Sequence, residues 1–145
     1  MAAILEMDNI VLNQAPQPYE DVIRRCGEML VKGGYVKPGY IDGMLARDRS
    51  FSTAIGNHIA IPHGEKIYKE EIIKTGLVVL TYPQGLEWNG EKVFLVVGIA
   101  AKGNEHLEIL ENLADKLEEA QDVVNLVNTA DQKAIYSLLT GHDPV

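Results

Sequence analysis

Two apolar runs, Leu77-Val78-Val79-Leu80-Thr81-Tyr82 and Val93-Phe94-Leu95-Val96-Val97-Gly98-Ile99, constrain the fold of this chain more than any other feature. Neither alternates with polar residues, and both are rich in β-branched side chains, which is how strands buried on two faces read. They predict the centre of one sheet, with Pro83 expected to end the first run because proline cannot donate to a ladder. The stretch from Val93 to Ala101 is less than half of the ~20 residues that a membrane-spanning helix needs.

Helical patterns flank these runs. Gln14-Ala15-Pro16-Gln17-Pro18 breaks structure after a possible first strand at Ile10 to Leu12. From Pro18 to Lys32, Val22, Ile23, Cys26, Met29 and Leu30 fall at spacings of three and four, and Gly33-Gly34 stops the helix. Pro38 opens a second helix with Tyr40, Ile41, Met44 and Leu45 on its apolar stripe, before Arg47-Asp48-Arg49. A short strand, Ile59-Ala60-Ile61, is closed by Pro62-His63-Gly64. Asn104 is a good N-cap for a helix lined by Leu107, Ile109, Leu110, Leu113, Ala114 and Leu117. Two shorter amphipathic helices follow, around Val123-Val124-Leu126-Val127 and Ala134-Ile135-Leu138-Leu139. The expectation is an α/β fold in which residues 1–145 form a single domain, one mostly buried mixed sheet covered by helices.

Charge narrows the partners. With 13 basic and 21 acidic side chains the net charge is -8, which repels nucleic-acid backbones and anionic membrane surfaces. The N-terminus lacks the basic region and small-residue cleavage site of a secretory signal, so the cytoplasm is the expected compartment. Cys26, the sole cysteine, lies on the apolar face of the first helix and is expected to be a buried structural thiol.

Position sorts the four histidines. His142 lies in a polar tail and is expected at the surface. His58 precedes the 59–61 strand, at a spacing from His63 that puts the two on opposite faces, and a supporting or surface role is expected. His63 and His106 each follow a core strand at its carboxyl end, where open α/β sheets hold ligands. With Asn104 as N-cap, His106 falls in the first helical turn, where backbone N–H groups and the helix dipole favour an anion and a neutral imidazole. Such a ring suits bracing a phosphoryl group attached elsewhere. Pro62 stiffens the approach to His63, and Gly64 adds no bulk beside it. The residues alone leave a second account standing, in which both histidines are structural.

Other chemistries find less support. A metal site from His63, His106 and Glu65 or Glu105 matches no standard ligand spacing, and the chain has neither a His-Glu-x-x-His helix nor paired cysteines. Gly-x-x-x-x-Gly-Lys-Ser/Thr, Gly-x-Gly-x-x-Gly and Gly-x-Ser-x-Gly do not occur. No pair of carboxylates is singled out for glycosidase chemistry. Neither a cofactor nor a metal is expected.

Three separated motifs carry a resemblance. Tyr40-Ile41-Asp42-Gly43-Met44-Leu45-Ala46-Arg47-Asp48, Gly56-Asn57-His58-Ile59-Ala60-Ile61-Pro62-His63-Gly64 and Gly98-Ile99-Ala100-Ala101-Lys102-Gly103-Asn104-Glu105-His106 appear in the order they take in the mannitol/fructose-type enzyme IIA of the bacterial sugar phosphotransferase system. The chain resembles that family over about residues 10–140, and Lys74-Thr75-Gly76-Leu77-Val78 with Tyr82-Pro83-Gln84-Gly85 leans toward its mannitol branch. The resemblance implies a phosphoryl carrier in which His63 accepts phosphate from the phosphocarrier HPr and passes it to a cysteine of the enzyme IIB domain of a sugar permease. It implies His106 as the second active-site histidine and Arg47 as the cation facing the phosphoryl oxygens, a role that suits its planar fork. Read without the resemblance, Arg47 is a solvated charge beside Asp48. Asp48 stands where the family often has glutamate, a shorter side chain to orient Arg47, and the segment Trp88 to Lys92 is shorter than in some relatives. The nitrogen-type regulatory homologue is the alternative within the family, and an interaction domain with inert histidines is the alternative outside it.

Overall fold

The computed structural model describes residues 4–104, 107–129 and 131–143. Its elements run β1 (Leu5–Val11), α1 (Tyr19–Lys32), α2 (Tyr40–Ser50), β2 (Ala54–Gly56), β3 (Ile59–Ala60), a 3₁₀ helix (Lys66–Glu71), β4 (Gly76–Trp88), β5 (Glu91–Ala100), α3 (Leu107–Lys116), α4 (Ala120–Thr129) and α5 (Gln132–Thr140). The strands form one mixed sheet in the order β1-β4-β5-β3-β2. The β1–β4 and β3–β5 pairs are parallel, and the β4–β5 and β2–β3 pairs antiparallel.

Strand periodicity explains why the two long runs are apolar throughout. Val78, Leu80, Tyr82 and Val96 point to one face, where they join Val22, Cys26 and Leu30 of α1 and Met44 of α2. Leu77, Val79, Leu95 and Val97 point to the other, where Ile109, Leu113, Val123 and Ile135 of the C-terminal helices cover them. The result is three layers, helix on sheet on helix.

The structure corrects several sequence boundaries. Pro83 does not end its strand: Thr81 pairs with Leu95 and Leu86 with Val93, so Tyr82, Pro83, Gln84 and Gly85 all lie opposite Phe94. The bulge places proline where no ladder N–H is required, with Gly85 at φ +83°, and pairing then resumes to Trp88. The first strand spans Leu5–Val11 rather than Ile10 to Leu12, and α3 stops at Lys116, one residue short of the buried Leu117. Two elements were not expected, β2 and the 3₁₀ helix. Asn57 and His58, with φ of 52° and 67°, form the two-residue turn between β2 and β3, and Asn89 and Gly90, at 50° and 87°, do the same between β4 and β5.

The sheet's two edges differ. On one side β2 is three residues long. On the other, β1 loses register between Leu5 and Ile10, and Gln132 Nε2 donates to the carbonyls of Met7 and Ile10 at 3.3 and 2.7 Å.

Cys26 is fully buried, and burial pushes its thiol up to about 12, the charge of Arg25 opposing the rise. The thiolate is therefore scarce at neutral pH and the group inert. At pH 8, iodoacetamide is expected to leave the native protein unmodified and to label it fully in 6 M guanidinium, read by intact mass; labelling of the native protein would contradict this burial. The raised value favours the protonated thiol in the folded chain. Its contribution to stability is thus complete below the ordinary value of 9.0 and lost as pH rises through about 12.

Candidate functional site

The carboxyl ends of the parallel strands β3 and β5 open onto one cavity of about 680 Å³. Residues that follow β3, among them Ile61, His63 and Gly64, and residues from the end of β5 onward, among them Ile99 and Lys102, line it together with Tyr40 at the start of α2. His63 lines this cavity, half-buried. Its backbone extends the β3–β5 pairing by a parallel bridge to Ile99, whose N–H donates to the Pro62 carbonyl at 2.8 Å.

The ring of His63 is oriented by its own chain. Nδ1 lies 2.7 Å from the Ile61 carbonyl oxygen. A carbonyl can only accept, so Nδ1 carries the proton, and in the neutral ring the lone pair is on Nε2. This fixes which nitrogen can act as nucleophile.

Gly64 allows a close approach that the sequence did not reveal. A Cβ there would lie 2.5 Å from Cε1 of Tyr40, so the ring packs directly on the glycine backbone. The Tyr40 hydroxyl accepts from the Gly64 N–H at 2.8 Å and donates to the Ile99 carbonyl at 2.9 Å. The sequence reading assigned Tyr40 to an apolar stripe; its burial agrees, and the hydroxyl's two partners lie 24 and 59 residues away.

Three lysines to which the sequence reading gives no role, Lys66, Lys69 and Lys102, line the cavity together with Glu65 and Asn104. Lys102 Nζ donates to the Ile73 carbonyl at 3.3 Å. In a chain of net charge -8 these cations make the cavity locally favourable to an anion. Their place just beyond the strand ends was the signal available.

Arg47 is not among the residues lining the cavity. It sits in the last turn of α2, where its guanidinium donates to the Phe51 carbonyl and lies 5.7 Å from the centre of the Phe51 ring. Asp48 does not orient it. One residue on, about 100° around the helix, Asp48 is buried: Oδ2 accepts from the Thr53 N–H and hydroxyl and from Trp88 Nε1, at 3.0, 2.6 and 3.0 Å. Its Oδ1 accepts from Asn89 Nδ2 at 3.1 Å. The two neighbours therefore part: the half-buried Arg47 binds the end of its own helix, and the buried Asp48 carboxylate ties α2 to the β4–β5 turn.

The remaining histidines sort as follows. His58 is half-buried in the β2–β3 turn, its Nδ1 2.9 Å from the Lys92 carbonyl and its ring edge-on to Phe94. His142 is exposed, with its ring against Tyr136. His106 and Glu105 lie outside the described residues; beside them, the Asn104 carbonyl accepts from the Leu107 N–H at 3.1 Å as α3 begins. Among the described residues no three His, Cys, Asp or Glu side chains are grouped to hold a metal ion, and no helix is long and apolar enough to cross a membrane.

Comparison with known proteins gives this arrangement a context. The model of the family "Phosphoenolpyruvate-dependent sugar phosphotransferase system, EIIA 2" matches residues 3–142. The chain is 37% identical, over 94% of both lengths, to the mannitol-specific phosphotransferase enzyme IIA component of Halalkalibacterium halodurans. It is 38% identical to the mannitol-specific EIICBA component of Escherichia coli, covering 94% of this chain and 22% of that longer protein. Among solved structures, it superposes on enzyme IIA mannitol in the E. coli complex with phosphorylated enzyme IIB mannitol with a TM-score of 0.83 at 36% identity, covering 95% of this chain and 99% of that one. The crystal structure of E. coli IIA mannitol gives 0.81 at 37% identity, covering 93% and 98%.

Proposed function

Because the chain belongs to the EIIA 2 family of the phosphoenolpyruvate-dependent sugar phosphotransferase system, we propose that it is a phosphoryl carrier that takes phosphate from phospho-HPr on His63 and hands it to the cysteine of an enzyme IIB domain. The observation that carries the reading is the hydrogen bond from Nδ1 of His63 to the Ile61 carbonyl, within a lysine-lined cavity. In the forward step Nε2 bonds to phosphorus as the bond from phosphorus to the donor's nitrogen breaks. The proton stays on Nδ1, held by Ile61. In the onward step the thiolate sulfur bonds to phosphorus and Nε2 recovers its electron pair. Transfer of this kind asks the protein for alignment and for neutralisation of three charged oxygens, more than for covalent help.

Lys66, Lys69 and Lys102 supply standing positive potential. Arg47 is the cation assigned to face the phosphoryl oxygens when a partner docks, and His106 the group that braces them by hydrogen bonding without accepting phosphate. The mannitol-specific relatives favour mannitol as the sugar and a mannitol permease as the source of enzyme IIB. The carrier acts in the cytoplasm, between HPr and the membrane.

Incubation with enzyme I, HPr and phosphoenolpyruvate is expected to give acid-labile protein phosphate that chases onto enzyme IIB of a mannitol permease. Chelation with EDTA is expected to leave acceptance from pre-phosphorylated HPr unchanged. Absence of labelling would overturn the carrier reading, and loss of that isolated step on chelation would restore a metal to the site.

A further inference from the structure

The geometry points to Tyr40 as a positioning residue for phosphoryl transfer, one that holds the Pro62-His63-Gly64 segment in place through a single hydroxyl; this rests on the reading of His63 as acceptor. Four bonds bind the segment into a closed frame. On one side of His63, the Pro62 carbonyl accepts from the Ile99 N–H at 2.8 Å. On the other, the Gly64 N–H donates to Tyr40 Oη at 2.8 Å, and that hydroxyl donates at 2.9 Å to the carbonyl of the same Ile99. Inside the frame, Nδ1 of the ring lies 2.7 Å from the Ile61 carbonyl.

A hydroxyl is the group that this junction requires, since it accepts from an N–H and donates to a carbonyl at once. Tyr40 is 2% exposed, and burial raises its pKa, with the Gly64 N–H opposing the rise, so the donor proton stays on Oη. The Tyr40 ring also stands where a Gly64 side chain would be, with 2.5 Å from its Cε1 to a Cβ at that position. The contact sets the distance between α2 and the strand end. Because reacting groups must meet within a few tenths of an ångström, a shift in this frame reaches the rate directly.

Tyr40→Phe keeps the ring and removes the hydroxyl, leaving the Gly64 N–H and the Ile99 carbonyl without their shared partner. Rapid-quench acceptance from pre-phosphorylated HPr is expected to slow ~10- to 100-fold at saturating donor. The half-saturating donor concentration should stay near the wild-type value, because the buried hydroxyl does not reach a docked partner. Long-range ¹H–¹⁵N spectra should show the ring resonances of His63 displaced. Tyr82→Phe is the control. It also removes a buried hydroxyl, bonded to Gln17 Oε1 at 3.4 Å and away from the cavity, and it should transfer at the wild-type rate. A wild-type rate in Tyr40→Phe overturns the role of Tyr40, and so does an equal slowing in Tyr82→Phe. His63→Ala, run in parallel, separates the two levels: label retained there removes the acceptor assignment itself, whereas label lost there with a wild-type rate in Tyr40→Phe removes Tyr40 alone.

Discussion

His63→Ala is expected to take up no phosphate from phospho-HPr and to leave phosphorylated HPr undischarged in the presence of enzyme IIB, with a fold and melting temperature close to wild type. A complete loss is expected because, among the described residues, His63 is the histidine placed at the junction of β3 and β5 with its ring oriented by a backbone carbonyl. Its stability should barely change, since the ring is half-buried at a cavity wall and removing it opens no closed void in the core. His106→Ala gives the contrasting pattern. It should still label on His63, while onward transfer slows by ~10²–10³, the usual effect of losing one preorganised donor where charge develops. Mass-spectrometric mapping of the phosphate, with quench-flow rates for both variants, decides between these roles. Phosphate found on His106 or His58 in the wild type would dismantle the assignment.

Asp48→Ala is expected to cost about 3–5 kcal/mol of folding stability, because it strips acceptors from several buried donors at once. Trp88 is fully buried, so its Nε1–H has no water to turn to, and the Thr53 N–H is in the same position. Asp48→Asn should be milder, about 1–2 kcal/mol, since a single amide oxygen can still serve the Trp88 and Thr53 donors while the Asn89 amide reorients. Urea midpoints at constant m-value give the comparison. A loss below ~0.5 kcal/mol in Asp48→Ala would show that these donors find other partners. The same carboxylate anchors the helix that carries Arg47 at one end and Tyr40 at the other, so residual phosphoryl transfer in Asp48→Asn reports how much of the site depends on it.

Local pattern carried most of the fold. The first helix read as Pro18 to Lys32 and forms as Tyr19–Lys32, because its apolar spacing and its Gly-Gly stop are both local facts. The two apolar runs became neighbouring strands near the middle of the sheet, as their lack of alternation required. Pro83 misled because a local rule about missing donors was applied without the partner strand, which alone determines where a donor is needed. The Asn89-Gly90 pair between those runs is a hairpin signal legible in the sequence. At the site, the strand-end position of His63 was visible in the order of residues. The place of Arg47 and Asp48 was not, since Asp48 meets Trp88 and Asn89 only after the chain has travelled some forty residues further. Tyr40 shows the same limit: hydropathy gives its burial, and only tertiary structure gives a hydroxyl its partners.

The manner in which the sheet ends bears on how this chain survives at high concentration. An open sheet offers its outermost backbone as a template for another chain, the usual route to edge-to-edge aggregation. Here one border offers a three-residue strand finished by a tight turn, too brief to hold an intruder in register. The other is broken in mid-strand, and an amide side chain from the last helix occupies two of its carbonyls. Glu6 and Asp8, exposed on that same strand, add charge to this border, so both margins of the sheet are poor templates for a second chain.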